Sequence, residues 1–290
     1  FQSLIDGVDE RGSSASGTSS RSGDEVVLMD PAWVSYEAMV KLSGGSLKRI
    51  DLAPYDFQLE PALDDLAAAV SDDTELLVVN SPSNPTGAVY SEAAFEGVRD
   101  LAVDHDITVI SDEIYQRVTY DVEQPSLAAF DGMGDRTVTI NGFSKAYSMT
   151  GWRLGYLHAP EALVSQAAKL HSHSVSCAVN FVQRAGIEAL ENTDDAVAEM
   201  REAFRERRDM LADLFAEHDV DVPVGDGAFY MMLPVDDDDQ SWCAGAIEDA
   251  HVATVPGSAF GSPGYARISY AASEARLREA VDRLATEGYL

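Results

Sequence analysis

Lysine is scarce in this chain: its 290 residues carry four, Lys41, Lys48, Lys145 and Lys169, beside sixteen arginines. Against these stand thirty Asp and twenty Glu, a formal charge of −30 at pH 7. Such a field repels nucleic acid and the anionic face of a membrane, which argues against both as partners. Cysteine is nearly absent too. Cys177 and Cys243 lie far apart with no CxxC spacing or histidine companion, so neither a disulfide framework nor a zinc site is expected, and both thiols are read as reduced and structural. No stretch reaches the ~18 uninterrupted apolar residues of a membrane span, and no charged-then-apolar leader opens the chain. The expectation is a soluble, cytoplasmic protein.

The carboxylates are spread along the whole sequence, and Asp236 to Asp239 reads as a short loop run. Acidity of this kind points to habitat rather than to an acidic binding face. At molar salt a Debye length of ~3 Å screens the self-repulsion, so the balance of charges is that of a salt-adapted, halophilic protein.

Apolar residues make up 46% of the chain, enough for a large core and, at this length, for a second smaller one. Val8 to Ser22, VDERGSSASGTSSRS, has little to bury and predicts a mobile loop. Beyond it, short runs rich in Val, Ile and Leu (25–29, 47–52, 76–80, 107–111 and 137–141) alternate with helical periodicity at 61–70 and 91–104. This is the βαβ pattern of a buried parallel sheet. A long helical region from Pro160 to about His218 follows, then strands at 228–233 and 266–270 and a final helix from Ser273. The fold class expected is α/β: a mainly parallel sheet flanked by helices in a large domain, 1–192, with a smaller C-terminal α+β domain, 193–290.

One of the four lysines sits at the exit of a predicted buried strand, in Gly142-Phe-Ser-Lys145-Ala-Tyr-Ser-Met-Thr-Gly-Trp-Arg153-Leu-Gly155. Lysine resists replacement where its amine does covalent work, and a fixed positive charge nearby lowers its pKa toward a nucleophile's. The bland alternative is a chance basic turn. Asp112 falls just past a strand, at the edge where open α/β sheets hold ligands, although Asp is also a good helix N-cap. Asn80-Ser-Pro-Ser-Asn84-Pro-Thr-Gly87 is by itself only a rigid turn. His171 and His173 fall on different helix faces with no third ligand near, so no metal site is expected.

Together these segments resemble the fold-type I pyridoxal-phosphate (PLP) enzymes, specifically the class I/II aminotransferases of the prokaryotic aspartate aminotransferase type. The resemblance implies that Lys145 bonds covalently to PLP and moves a proton between the substrate Cα and the cofactor C4′. It implies that Arg153 clamps the cofactor phosphate, with Ser144 either beside it or simply a small residue that lets the turn close. Asp112 would keep the pyridine nitrogen protonated, and Tyr115 and Asn84 would hydrogen-bond the phenolic oxygen. Trp33, in Pro31-Ala-Trp-Val-Ser-Tyr36, would stack on the ring, where a lone Trp is otherwise a core residue. Arg267, in Gly264-Tyr-Ala-Arg-Ile-Ser-Tyr270, would clamp the substrate α-carboxylate together with Asn84, the alternative being a surface salt bridge. Val255-Pro-Gly-Ser-Ala-Phe-Gly261 and Gly227-Ala-Phe-Tyr-Met-Met232 match the family's small-domain segments.

The family pattern also has a stretch ahead of Phe1: a glycine-containing phosphate loop, an N-terminal arm and a tyrosine reaching into a partner's site. Phe1 to Gly7 looks like the end of the helix that follows that loop, and 8–22 looks like an insertion. The implied activity is exchange of an amino group between an L-amino acid, aspartate first, and a 2-oxo acid such as 2-oxoglutarate, in a homodimer. A PLP-dependent lyase or decarboxylase on the same fold, and an inactive truncated relative, stay open at this stage.

Overall fold

The computed structural model describes residues 24–235 and 238–290. The expected helix end at Phe1–Gly7 and the loop at 8–22 lie outside the described residues.

Six strands form the larger sheet: β1 (Glu25–Asp30), β2 (Ser46–Asp51), β3 (Thr74–Asn80), β4 (Thr108–Asp112), β5 (Thr137–Gly142) and β6 (Gly155–His158), in the order β2-β1-β3-β4-β5-β6. The first five are parallel and β6 runs antiparallel to β5. Burial on both faces explains why β1, β3 and β4 read as continuous apolar runs. Successive side chains point to opposite faces: Val27, Met29, Leu77, Val79 and Val109 enter one core, and Val26, Leu28, Leu76, Val78 and Ile110 enter the other.

Helices cover both faces. Helix α1 (Val34–Leu42) adds Tyr36 and Val40 to the second core. Helices α2 (Leu63–Ala69) and α3 (Glu92–Asp104) add Leu66, Phe95 and Val98 to the first. Ser91 starts α3 because its hydroxyl accepts the Ala94 N–H at 3.1 Å, an N-cap that meets an otherwise unpaired donor.

The expected long helical region is three helices, α4 (Glu161–Ser174), α5 (Asn180–Asn192) and α6 (Asp194–Ala216). Ser176 adopts φ +64° between the first two, a left-handed turn that no helix continues through. A second sheet, order β7-β9-β8, is antiparallel and comprises β7 (Tyr230–Pro234), β8 (Val255–Pro256) and β9 (Tyr265–Ser269). Helix α7 (Asp239–Glu248) lies between β7 and β8 in sequence, and α8 (Glu274–Thr286) closes the chain. Leu211 and Phe215 of α6, Met231 and Leu233 of β7, and Leu277 and Val281 of α8 share one core.

Two local readings change, and one strand is added. Strand β7 begins at Tyr230 rather than at Ala228, because Ala228 takes φ +53° and donates its N–H to the Val118 carbonyl instead. The acidic run expected as a loop ends in a helix start: Asp238 caps α7 by accepting the Ser241 N–H, and buried Asp239 accepts the Ser258 N–H at 2.6 Å. The segment after Arg153 forms the edge strand β6, whose four exposed residues give no apolar run to read.

β1 lies between β2 and β3, so the direction in which successive strands are added reverses there. Such a switch point opens a crevice at the carboxyl ends of parallel strands. Asn80 and Asp112, the last residues of β3 and β4, are register partners at that edge, and Gly142 ends β5 beside them.

Candidate active site

A cavity of about 470 Å³ occupies this edge, and Trp33, Asn84, Asp112, Tyr115, Ser144, Lys145 and Arg153 all line it. Seven positions spread over 121 residues of sequence thus meet because six of them end or follow β1, β3, β4 and β5 at their carboxyl ends, and the loop from β5 to β6 returns Arg153 to the same edge. No helix starts at Asp112; its Oδ1 accepts the Ile114 N–H at 3.2 Å, and its Oδ2 accepts the Tyr36 hydroxyl at 2.6 Å. Burial raises the Asp112 pKa above the ordinary carboxylate value, while the Tyr36 bond, the Ile114 bond and the Lys145 charge oppose that rise. Asn80 fixes the surrounding backbone, donating from Nδ2 to the Asp112 carbonyl at 3.0 Å and accepting the Asn84 N–H at 2.9 Å.

The Lys145 amine stands over the rings of Tyr115 and Phe229, at 5.3 and 5.6 Å from their centroids. Burial lowers its pKa below the usual lysine value, the Arg267 and Arg153 charges push the same way, and only Asp112 resists. An amine so placed sheds its proton more readily than a free lysine, the condition for nucleophilic work. Arg153 is exposed, holds φ +57° and donates from Nη1 to the Thr150 carbonyl at 3.0 Å. A left-handed backbone at a non-glycine residue is uncommon and concentrates at functional sites. Thr150 also donates its hydroxyl to the Ser144 carbonyl at 3.0 Å, so the loop that carries Ser144, Lys145 and Arg153 is tied to itself.

Arg267 projects from β9 toward the same site and donates from Nη1 to the Asn84 Oδ1 at 3.0 Å. Among the described residues it makes no ion pair, so the surface salt bridge is not what the structure contains. Tyr115 donates to or accepts from the Tyr230 hydroxyl at 3.0 Å. Trp33, 38% exposed, caps the amino end of α1 and packs edge-on against Tyr36, with centroids 5.4 Å apart. Gly87 holds Asn84 near Arg267: at φ +75° its backbone passes so close to the second sheet's leading loop that a Cβ there would lie 2.7 Å from the Tyr230 carbonyl oxygen and 2.9 Å from that of Gly227. Only glycine satisfies both constraints.

Tyr36, Asn80, Tyr230 and Phe260 were not singled out from sequence. Tyr36 had a readable signal, since a residue three positions after Trp33 at a helix start lies on the same face. His171 and His173 sit in the last turn of α4, and no group of three or more His, Cys, Asp or Glu among the described residues could hold a metal ion. Cys243 is buried, whereas Cys177 is exposed.

In a protein with 50 acids and 20 bases, this cavity gathers one carboxylate and two cations, with a third cation adjoining. The donor set suits a small anionic molecule that has one basic ring atom for Asp112 and a carbonyl for the Lys145 amine. PLP has those three features, and the residues present fit it.

Residues 4–284 match the family model "Aminotransferase class I and II". The chain is 40% identical over 275 residues to an aspartate aminotransferase of Pyrococcus abyssi, covering 91% of this chain and 70% of that one. It is 39% identical over 275 residues to an aromatic-amino-acid aminotransferase of Thermococcus litoralis, with coverage of 91% and 70%. Its structure superposes on a Thermus thermophilus aspartate aminotransferase double mutant with a TM-score of 0.88 at 36% identity, covering 98% of this chain and 71% of that one. The chain belongs to the class I and II aminotransferases, fold-type I transaminases that use pyridoxal phosphate.

Proposed function

We propose that the protein transfers the amino group of L-aspartate to 2-oxoglutarate, with Lys145 as its catalytic residue. The observation that carries the reading is the convergence of Lys145, Asp112 and Arg153 on one cavity at the carboxyl ends of the parallel strands. PLP, when bound, supplies an electron sink that stabilises negative charge at the substrate Cα. Asp112 would hold a proton on the ring nitrogen of that group, its carboxylate oriented by the Tyr36 hydroxyl and the Ile114 N–H. Arg153 and Ser144 would hold the phosphate, Trp33 would pack against the ring, and Tyr115 and Asn84 would hydrogen-bond the phenolic oxygen. Lys145 would hold the cofactor through its amine and would carry the proton to and from the substrate Cα. Arg267 binds the substrate α-carboxylate by its planar fork of donors, assisted by Asn84.

The aspartate and aromatic-acid relatives support a donor from one of these two classes. Initial-rate comparison of L-aspartate, L-tyrosine and L-phenylalanine with 2-oxoglutarate tests the choice: aspartate is expected to have the highest kcat/KM, and a higher value for an aromatic donor would overturn it.

Tyr36→Phe removes a hydrogen bond to a buried carboxylate, a loss of about 1.5–3 kcal/mol. Asp112 then titrates still higher, so PLP affinity is expected to fall about tenfold or more. Equilibrium dialysis reads this; unchanged affinity contradicts the role given to Asp112.

The remaining parts of the reading concern organisation. Residues 1–192 and 193–290 form the large and small domains, supported by their separate sheets. A second copy covers the exposed apolar residues Trp152, Val175, Val179 and Phe181, which line one depression. Light scattering is expected to give twice the 31.2 kDa chain mass; a monomer mass would refute the pairing. No helix among the described residues is long and apolar enough to cross a membrane, and the composition supports a cytoplasmic, halophilic setting.

A further inference from the structure

Arg267 is a half-buried cation without an acid partner among the described residues of a protein that carries 50 acids. Burial pulls its pKa below the usual arginine value, and its Nε is buried with no hydrogen-bond partner. What surrounds it instead is aromatic. The guanidinium carbon lies 4.6 Å from the Tyr230 ring centroid and 5.0 Å from that of Phe260.

The second sheet dictates this arrangement. Met232 of β7 is the register partner of Arg267 on β9, and Tyr230 stands two residues from Met232 on the same face, so Tyr230 is the diagonal neighbour of Arg267. On the other side Val255 of β8 pairs with Arg267, and the 3₁₀ turn that follows β8 ends at Phe260, which is 2% exposed. Tyr230 also reaches the opposite half of the site, since its hydroxyl is 3.0 Å from that of Tyr115.

A carboxylate partner and a ring face stabilise a guanidinium in different ways. An acid occupies the in-plane N–H donors and cancels the charge. A ring face attracts the cation through its quadrupole and leaves those donors free. We propose that Tyr230 and Phe260 are the positioning residues of Arg267, replacing an acid so that its charge and the donors not given to Asn84 stay available to a substrate carboxylate, and that the Tyr230 hydroxyl ties this clamp to Tyr115. The inference rests on Arg267 receiving a carboxylate, as proposed above.

The test uses the PLP-loaded chain in molar KCl and succinate, a dicarboxylate with no amino group to transfer, with binding measured by calorimetry. Phe260→Leu and Tyr230→Leu remove one ring face each and are expected to weaken succinate binding about tenfold; Phe260→Leu, which leaves the Tyr115–Tyr230 bond in place, is expected to leave PLP affinity unchanged. Tyr230→Phe keeps the ring and is expected to keep succinate affinity within about twofold. Because it unties Tyr115, it is expected to shift the pH at which the Lys145-dependent absorption band changes. Phe260→Leu and Tyr230→Leu binding succinate as tightly as the parent chain would overturn the clamp, and so would parallel losses of succinate and PLP affinity in Phe260→Leu. Should Tyr230→Leu fail to fold, Phe260→Leu and Tyr230→Phe decide the question by themselves. A parent chain that binds PLP but not succinate refutes both the clamp and the role given to Arg267. A parent chain that forms no Lys145-dependent band refutes the underlying assignment first, which separates the two failures.

Discussion

Lys145→Ala is expected to abolish the visible absorption band formed with PLP and to lower the rate of amino transfer by at least about 10⁴-fold, since in the proposed reaction one residue supplies both the covalent attachment and the acid–base step. The loss is chemical, not structural: the amine is only partly buried and, among the described residues, makes ring contacts rather than ion pairs. A stability measurement separates the two. In the cofactor-free chain the folded pKa of Lys145 lies below its unfolded value of 10.5, so the unfolded state binds more protons between them. This residue's contribution to stability is therefore fully present above the unfolded value and lost as pH falls through the folded one. The variant should lack that slope while keeping a thermal midpoint at neutral pH no lower than the parent's. A variant that transfers amino groups within tenfold of the parent, or that unfolds at neutral pH, contradicts the assignment.

Asp112→Asn is expected to cost about 10²–10³-fold in rate, the scale for removing one preorganised charged group at a reacting centre. The amide keeps the shape: its oxygen can still accept the Ile114 N–H, and its –NH2 then donates to the Tyr36 hydroxyl, which turns from donor to acceptor, so the fold has no reason to change. It lacks the charge that, in the proposed reaction, holds a proton on the ring nitrogen. It also removes the single influence that raises the Lys145 pKa, so Lys145 is expected to lose its proton at a lower pH than in the parent. Stopped-flow rates and a spectrophotometric pH titration read these two effects. A slower variant whose lysine titration is unmoved would place Asp112 outside the electrostatic reach of Lys145.

The parallel sheet was legible because strands buried on both faces leave continuous apolar runs, as at 76–80 and 107–111. The site was legible for a related reason. A lysine kept by a chain that avoids lysine, an aspartate just past one strand and a proline-rich turn past another mark the carboxyl edge of such a sheet. What stayed hidden is long-range pairing. Tyr115 and Tyr230 meet 115 positions apart and Asn84 and Arg267 meet 183 apart, contacts set by the register between two sheets and carried by no local pattern. Strand β6 was hidden because its four residues are exposed. The break at Ser176 was hidden because a single left-handed residue, serine rather than glycine, leaves no compositional mark.

The most direct test of the account is a single half-reaction. The purified chain is loaded with PLP in molar KCl, freed of excess cofactor and mixed with L-aspartate in the absence of any acceptor. The expected result is loss of the Lys145-dependent band, release of one equivalent of the corresponding 2-oxo acid per loaded chain and no more, and return of the band when 2-oxoglutarate is added. Continuous turnover without an acceptor, release of carbon dioxide, or no oxo acid from a folded, loaded chain would contradict it.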